Sequence, residues 1–132
     1  MAVAVWDSLE NTPAYAAEVA LLERIAGTRA ADALRAPFVL GNPAELTALF
    51  GGAGVASVSI ATRRRTARFP DVRSMVEADL RGWLPIMGVV LTEAQIGQIL
   101  EEGERVLAPY VTPEGAVVFE SSAHIVSGVN PQ

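Results

Sequence analysis

The residue in this chain best suited to proton transfer is its only histidine, His124. Histidine is the side chain most often used as a general base. Along the strand predicted around it, alternation places Glu120 and Ser122 on the same face as His124. His124 is therefore either a base beside a carboxylate or a structural histidine with satisfied hydrogen bonds, and the second role is the commoner one. We assign no catalytic residue.

Other groups suited to chemistry are few. Arg63, Arg64 and Arg65 have the charge to bind an anion, although a short charged run at the end of a strand is usually a solvated tip. The chain has no cysteine, which excludes thiolate catalysis and Cys-ligated zinc, so we expect no metal. Its net charge of -5 opposes binding to phosphate backbones, and we expect no nucleic acid partner.

The composition indicates one globular domain over residues 1–132. Hydrophobic residues make up 51% of the chain, which suggests apolar surface that a partner would cover. Apolar runs such as Met87 to Leu91 fall well short of the roughly 20 residues that a membrane span needs. Met1 to Trp6 lacks the basic start of a secretory signal. We therefore expect a cytoplasmic protein without a membrane partner.

Helix signals are well spaced along the chain. Thr12 and Pro13 predict a helix start, and Gly27 is placed to end that helix. The spacing of Tyr15, Val19 and Leu22 gives its apolar face, with Glu18, Glu23 and Arg24 interpreted as lying mostly on other faces. Further helix starts are predicted at Asn42–Pro43, at Asp71 and at the Thr92–Gln95 capping box, and Thr28 to Ala36 adds one or two turns.

Three strands are predicted, which with four to five helices gives an α/β fold around a small mixed sheet. Val3 to Trp6 is the first strand. Val55 to Thr62 is the second, followed by Arg63 to Arg65 as a polar break and a short extension before Pro70. Ala116 to Val126 is the longest, and Gly128 to Gln132 is predicted to be a frayed tail.

Several segments, taken in order, resemble the C-terminal part of a class I S-adenosylmethionine-dependent methyltransferase of the ubiquinone-biosynthesis type. They extend over essentially the whole chain. The resemblance implies a Rossmann-like fragment whose last strand runs antiparallel between its two neighbours. The segments are Val3-Ala4-Val5-Trp6, Pro37-Phe38-Val39-Leu40-Gly41, Leu46 through Ala53-Gly54-Val55, Arg68-Phe69-Pro70, Gly82-Trp83 and Gly115-Ala116-Val117-Val118-Phe119.

The resemblance also implies the cofactor S-adenosylmethionine, but its glycine-rich loop belongs to an N-terminal half that this sequence lacks. Gly51-Gly52-Ala53-Gly54 follows a predicted helix and precedes a strand, the reverse of the order that aims a helix N-terminus at a ligand. We therefore expect no cofactor bound by this chain alone. The expected function is a methyltransferase-like fragment that binds a small molecule or assembles with a partner. One alternative is part of a split or truncated methyltransferase acting on a small apolar acceptor, and another is a structural dimer without ligand.

By the same resemblance, residues 70–109 form a helical cap over an apolar pocket. The residues implied to bind substrate are Trp6, Phe69, Met75 and Trp83, and a polar part of the pocket is assigned to Arg68 and His124. The alternative for the aromatic and methionine residues is an ordinary core, which such stripes at helical spacing usually form.

The predicted sheet leaves one edge of Ala2 to Trp6 unpaired. An open apolar edge is a template for pairing with another strand. We therefore expect a homodimer through Ala2 to Trp6 or through helix packing over the same surface. A missing cofactor-binding chain is the other partner that the resemblance implies.

Overall fold

The computed structural model describes residues 1–129 and has a mixed α/β fold, as predicted. Strands β1 (Ala2–Trp6), β2 (Ala56–Phe69) and β3 (Val117–Val129) form one antiparallel sheet in the order β1-β3-β2. The last strand in sequence therefore lies between the other two, which confirms the expected strand order. In the β1–β3 pair, Val3 lies opposite Val126 and Val5 opposite His124.

Residues 1–129 contain five helical bodies, which agrees with the predicted number. A π-helical segment, Ala78–Trp83, joins two short α-helices into one continuous body over 72–86. No helix in this part of the chain has the length and apolar character to cross a membrane. The α-helices are α1 (Pro13–Ala26), α2 (Thr28–Arg35), α3 (Pro43–Gly52), α4 (Val72–Glu77), α5 (Leu84–Ile86) and α6 (Glu93–Val106).

Three of the predicted helix caps are confirmed. The Asn42 side chain accepts a hydrogen bond from the Glu45 amide at 3.1 Å, and Asp71 accepts one from the Ser74 amide at 2.6 Å. At the start of α6, Thr92 and Gln95 form a capping box. Each cap satisfies an otherwise unpaired amide and is worth about 1 kcal/mol.

Two predictions about strand ends were wrong. The arginines Arg63 to Arg65 do not break β2, which continues through them to Phe69. Their side chains are exposed, so an extended backbone needs no burial of charge here, and the Arg64 Nε lies 3.4 Å from the Glu120 carboxylate on β3. Gly128 also belongs to β3, where its amide donates to the Met1 carbonyl. Residues 130–132 of the predicted frayed tail lie outside the described residues.

The chain divides into two compact units. The first comprises residues 1–12, 37–66 and those from 120 onward, and it holds α3 and most of the sheet around the buried Leu46 and Val126. The second comprises residues 13–36 and 67–119, which include the predicted insertion at 70–109. In the second unit α1 packs against α2 and α6, and α4 packs against α6. That residues 1–132 form a single domain stays a prediction.

Candidate functional site

In the second unit, helix α1 places Tyr15 and Glu18 one turn apart, near Asp79 in the π-helical segment. Residues three apart in a helix share a face, so both α1 side chains point the same way. Glu18 is 0% exposed, whereas Tyr15 and Asp79 are only partly covered. The result is a fully buried carboxyl beside two residues that are half-buried.

Within residues 1–129 no N–H or hydroxyl group donates to three buried oxygens, Glu18 Oε1, Glu18 Oε2 and Asp79 Oδ2, and the two carboxyls hydrogen-bond to each other when one of them holds a proton. An ionised carboxylate buried without a partner is so unfavourable that the group takes up a proton instead. Burial, and then the negative charge of Asp79, raises the pKa of Glu18 well above its ordinary value. Burial also raises the pKa of Asp79, while the hydrogen bond with Glu18 lowers it by a smaller amount. The pair therefore retains a proton to higher pH than two separate carboxyls would.

Tyr15 connects the carboxyl pair to a group of aromatic rings. Burial, and then the charges of Asp79 and Glu18, raises the pKa of the Tyr15 hydroxyl, which therefore keeps its proton. The Tyr15 ring meets Phe119 edge-on with their centroids 5.4 Å apart. Aromatic pairs prefer this geometry because the positive edge of one ring faces the negative face of the other.

Phe119, at the start of β3, is also in contact with two further rings. Phe69, at the end of β2, stacks on it with centroids 6.2 Å apart, and Tyr110 approaches it edge-on at 6.5 Å. Phe119 is buried, whereas Phe69 and Tyr110 are partly exposed. We name the six residues Tyr15, Glu18, Phe69, Asp79, Tyr110 and Phe119 the acid–aromatic cluster.

Sequence reasoning wrongly placed Glu18 away from the buried face of α1. The signal was present, because Glu18 is three residues after Tyr15 and four before Leu22, and such spacings share a helical face. Glu18 was nevertheless predicted to lie on another face because it is charged, and charged side chains are rarely buried. The approach of Asp79 depends on how the π-helical segment packs, which local spacing does not reveal.

Four of the predicted site residues belong to the second unit. Phe69 is part of the acid–aromatic cluster. Met75 is 1% exposed and lies in the core, and the indole N–H of Trp83 donates to the Ala33 carbonyl at 2.8 Å. Arg68 is exposed. Met75 thus has the packing of a core residue and Trp83 is half-buried, and the roles of both in substrate binding stay predictions.

The other two predicted site residues, Trp6 and His124, belong to the first unit. Trp6 is 49% exposed and lines an apolar depression of about 260 Å³ with Ala4, Val5 and Ala123. This surface suits an apolar contact. The grouping of all six predicted residues into one pocket stays a prediction.

His124 is buried and hydrogen-bonded on both ring nitrogens. Its Nε2 lies 2.8 Å from the Gly41 carbonyl oxygen and 3.2 Å from Asp7 Oδ1, while Nδ1 lies 2.8 Å from the Thr62 hydroxyl. A carbonyl only accepts, so the Nε2 hydrogen points to Gly41 and Asp7. The carboxylate beside His124 is therefore Asp7 rather than the sequence neighbour Glu120.

The hydroxyl, imidazole and carboxylate of Thr62, His124 and Asp7 follow the same order as a nucleophilic triad. However, the shortest contact of Nε2 is with the main chain at Gly41, and Thr62 lines none of the grooves described here. The network joins β2, β3 and the segments after β1 and before α3. This favours the structural role for His124.

A groove of about 350 Å³ lies between α4 with its π-helical extension and α6, the two helices of the predicted cap. Its floor includes Ile96 and Leu100, and charged side chains surround it. Arg81 closes one end with a two-point ion pair to Glu93 at 2.9 and 3.0 Å. The space between these helices is an open groove with an apolar floor and a charged rim, and the predicted apolar substrate pocket stays a prediction.

The glycine-rich segment Gly51-Gly52-Ala53-Gly54 lies between α3 and β2, and the expectation that this chain alone binds no S-adenosylmethionine stays a prediction. Gly51 and Gly52 end α3, and Gly54 has a positive φ of 88° in the turn into β2. This order, helix to strand, directs no helix N-terminus at a ligand. In residues 1–129, no group of three or more His, Asp or Glu side chains is placed to hold a metal ion.

Comparisons with known proteins give no family for this chain. No model of a protein family matches it, and no curated protein matches its sequence.

Proposed function

We propose that this chain is the acceptor side of a class I methyltransferase-like fold and works as a small-molecule binding module rather than a complete methyltransferase. The observation that carries the proposal is the sheet order β1-β3-β2, with the helical segment between β2 and β3. This is the arrangement implied by the resemblance of the sequence to such enzymes. A cytoplasmic location is part of the proposal.

The acid–aromatic cluster supports binding on the acceptor side. It contains Phe69, which the resemblance assigns to the substrate pocket, and the partly exposed rings of Phe69 and Tyr110 offer apolar contact to a small molecule. Methyl transfer depends chiefly on holding an acceptor against a bound methyl donor. Because its glycine-rich segment leads from a helix into a strand and directs no helix N-terminus at a donor, we expect this chain alone to transfer no methyl groups.

The outer edge of β1 supports a strand partner. The Met1 carbonyl and the Asp7 amide bond to β3, so the alternating pattern of an antiparallel pair directs the backbone groups of Ala2, Ala4 and Trp6 outward. Val3 and Trp6 are exposed, and the strand carries no charged side chain to discourage pairing. We propose that a second copy of the chain pairs with this edge.

A single sample tests both parts of the proposal. Calorimetric titration with S-adenosylmethionine and with S-adenosylhomocysteine should give no saturable heat, and light scattering should give the mass of a dimer. Ala4→Pro removes an outward amide without touching the β1–β3 bonds, so it should shift the mass toward the monomer. Gly51→Ala, in open space at the end of α3, is the control and should leave the dimer intact.

Saturable binding of one cofactor per chain would overturn the claim that the chain does not bind the donor. A monomer at all concentrations would overturn the second copy as the partner of β1. The edge would then be assigned to a separate cofactor-binding chain, which a pull-down with the purified chain should recover.

A further inference from the structure

We propose that the outer edge of β2, over residues 61–66, binds an extended acidic segment of another protein, which adds to the sheet as a further strand. The inference goes beyond the proposed function, because it concerns a different surface from the acid–aromatic cluster and the β1 edge. Its basis is an unpaired strand edge that carries Arg63, Arg64 and Arg65 in a chain whose net charge is -5.

The outer edge of β2 is open. β2 is the last strand of the three-stranded sheet and pairs with β3 on one side only. Every residue from 61 to 66 is exposed, so no helix or loop of the described chain covers this stretch. An open strand edge presents a row of main-chain N–H and C=O groups that pair readily with another strand. This stretch therefore offers main-chain hydrogen bonds to an extended peptide.

The arginines of this stretch lack the partners that the other arginines have. The six arginines on the helices each contact a carboxylate or, in one case, a backbone carbonyl. Within residues 1–129, Arg63 and Arg65 form no ion pair, and Arg64 reaches only Glu120, with both side chains exposed. Exposed pairs of this kind add little stability. The three guanidinium groups are therefore available to carboxylates from outside the chain.

Alternation along β2 sets the spacing of these charges. Thr62 and Arg64 both contact side chains of β3. Strand residues two apart share a face, so Arg63 and Arg65 lie together on the opposite face, roughly 7 Å apart. Acids at alternate positions of an added strand have the same spacing. Each would lie across from one arginine, and opposite charges across a strand pair attract.

The same arginines oppose a second copy of this chain at the β2 edge. Antiparallel pairing of two copies about Arg64 would set Arg63 opposite Arg65, and like charges directly opposite are destabilising. Charged side chains on edge strands discourage this kind of self-pairing. The β1 edge differs because it carries no charged side chain. A dimer through β1 would leave the β2 edge of each copy free for an acidic partner.

Nucleic acid suits this surface less well than an acidic peptide. Phosphates also bind arginine, but a nucleic acid adds no strand to a sheet. Its charges would also continue past the short basic stretch, and outside β2 the chain has 15 acids against six arginines. Binding to a phosphate backbone needs basic groups along its whole path. A peptide with a few carboxylates matches both the charge and the main-chain groups.

A suitable probe is a short peptide in which glutamate alternates with threonine, blocked at both termini so that only its side chains are charged. Calorimetric titration of the full chain should show saturable binding that weakens with added salt, because exposed charges are screened. The same peptide with lysine in place of glutamate should not bind. Methylating every main-chain amide keeps the carboxylates but removes several hydrogen bonds, so that peptide should bind about tenfold more weakly.

Variants and hydrogen exchange locate the site on the chain. Replacing both Arg63 and Arg65 with glutamine should weaken the glutamate peptide by about tenfold, because two cross-strand charge pairs are lost. The matched control replaces Arg24 and Arg105, two exposed arginines on the helices, with glutamine and should not change the affinity. Bound peptide should slow the exchange of amide hydrogens within residues 61–66.

No saturable binding of the glutamate peptide would overturn the inference, as would equal affinity of the methylated peptide. Oligothymidylate of the same charge that binds as tightly as the peptide would assign the surface to nucleic acid instead. Slowed exchange in β1 rather than in residues 61–66 would place the peptide on the wrong edge. These comparisons use the wild-type chain, so they remain decisive if a variant fails to fold. They are also separate from the cofactor titration and the dimer mass that test the proposed function.

Discussion

Replacing Gly41 with alanine is expected to lower the free energy of unfolding by about 3 kcal/mol, the upper end of the usual cost of overpacking. A Cβ atom at position 41 would collide with the backbone of Asp7 and Ser8. Main-chain atoms cannot rotate away as a side chain can, so the loop must shift. The shift would also move the Gly41 carbonyl away from His124 Nε2.

Urea denaturation of Gly41→Ala and Gly51→Ala measures this effect against a control of the same chemistry. A Cβ at Gly51 meets nothing within 4 Å, so alanine there should be neutral or stabilise α3 by about 0.5–1 kcal/mol. A similar loss of unfolding free energy in both variants would show that Gly41 does not lie against the backbone of Asp7 and Ser8.

Replacing Glu18 with glutamine is expected to stabilise the chain at pH 7.5 by about 1–3 kcal/mol, the order of cost of an uncompensated buried polar group, because glutamine has no charge that folding must neutralise. The pKa of Glu18 is raised in the folded state, so above the ordinary value of 4.5 the folded chain holds more protons than the unfolded chain. Stability therefore falls as pH rises from about 4.5 through the raised pKa. Below 4.5 both states are protonated, and the advantage of glutamine should vanish.

The measurement is the unfolding free energy of both chains from pH 4 to pH 8. Glu104→Gln, which removes one exposed acid, should follow the wild-type curve. A Glu18→Gln chain that loses stability at pH 7.5, or that parallels the wild type at every pH, would contradict the burial of a proton-holding carboxyl at this position.

The features that could be predicted from the sequence are those set by local spacing. Asn42, Asp71 and Thr92 cap helices because a short polar side chain reaches an amide two or three residues along the chain. The positions of β1 and β3 follow from runs of β-branched residues in the same way. The prediction that Arg63 to Arg65 break β2 was wrong because an exposed strand tolerates charge on both faces.

The parts that could not be predicted depend on contacts distant in sequence. Asp7 lies 117 residues from His124, and Asp79 lies 61 residues from Glu18, so neither pair leaves a local pattern. The π-helical segment that carries Asp79 is likewise a product of packing. The ring contacts of Phe119 are of the same kind, because the rings that meet it come from α1, the end of β2 and the turn after α6.

Carboxyl-carbon NMR of Glu18, assigned by comparison with Glu18→Gln, tests the acid–aromatic cluster most directly. In the free chain the Glu18 signal should titrate with a midpoint well above 4.5, because of burial and the charge of Asp79. A midpoint close to 4.5 would contradict a buried pair of carboxyls that holds a proton.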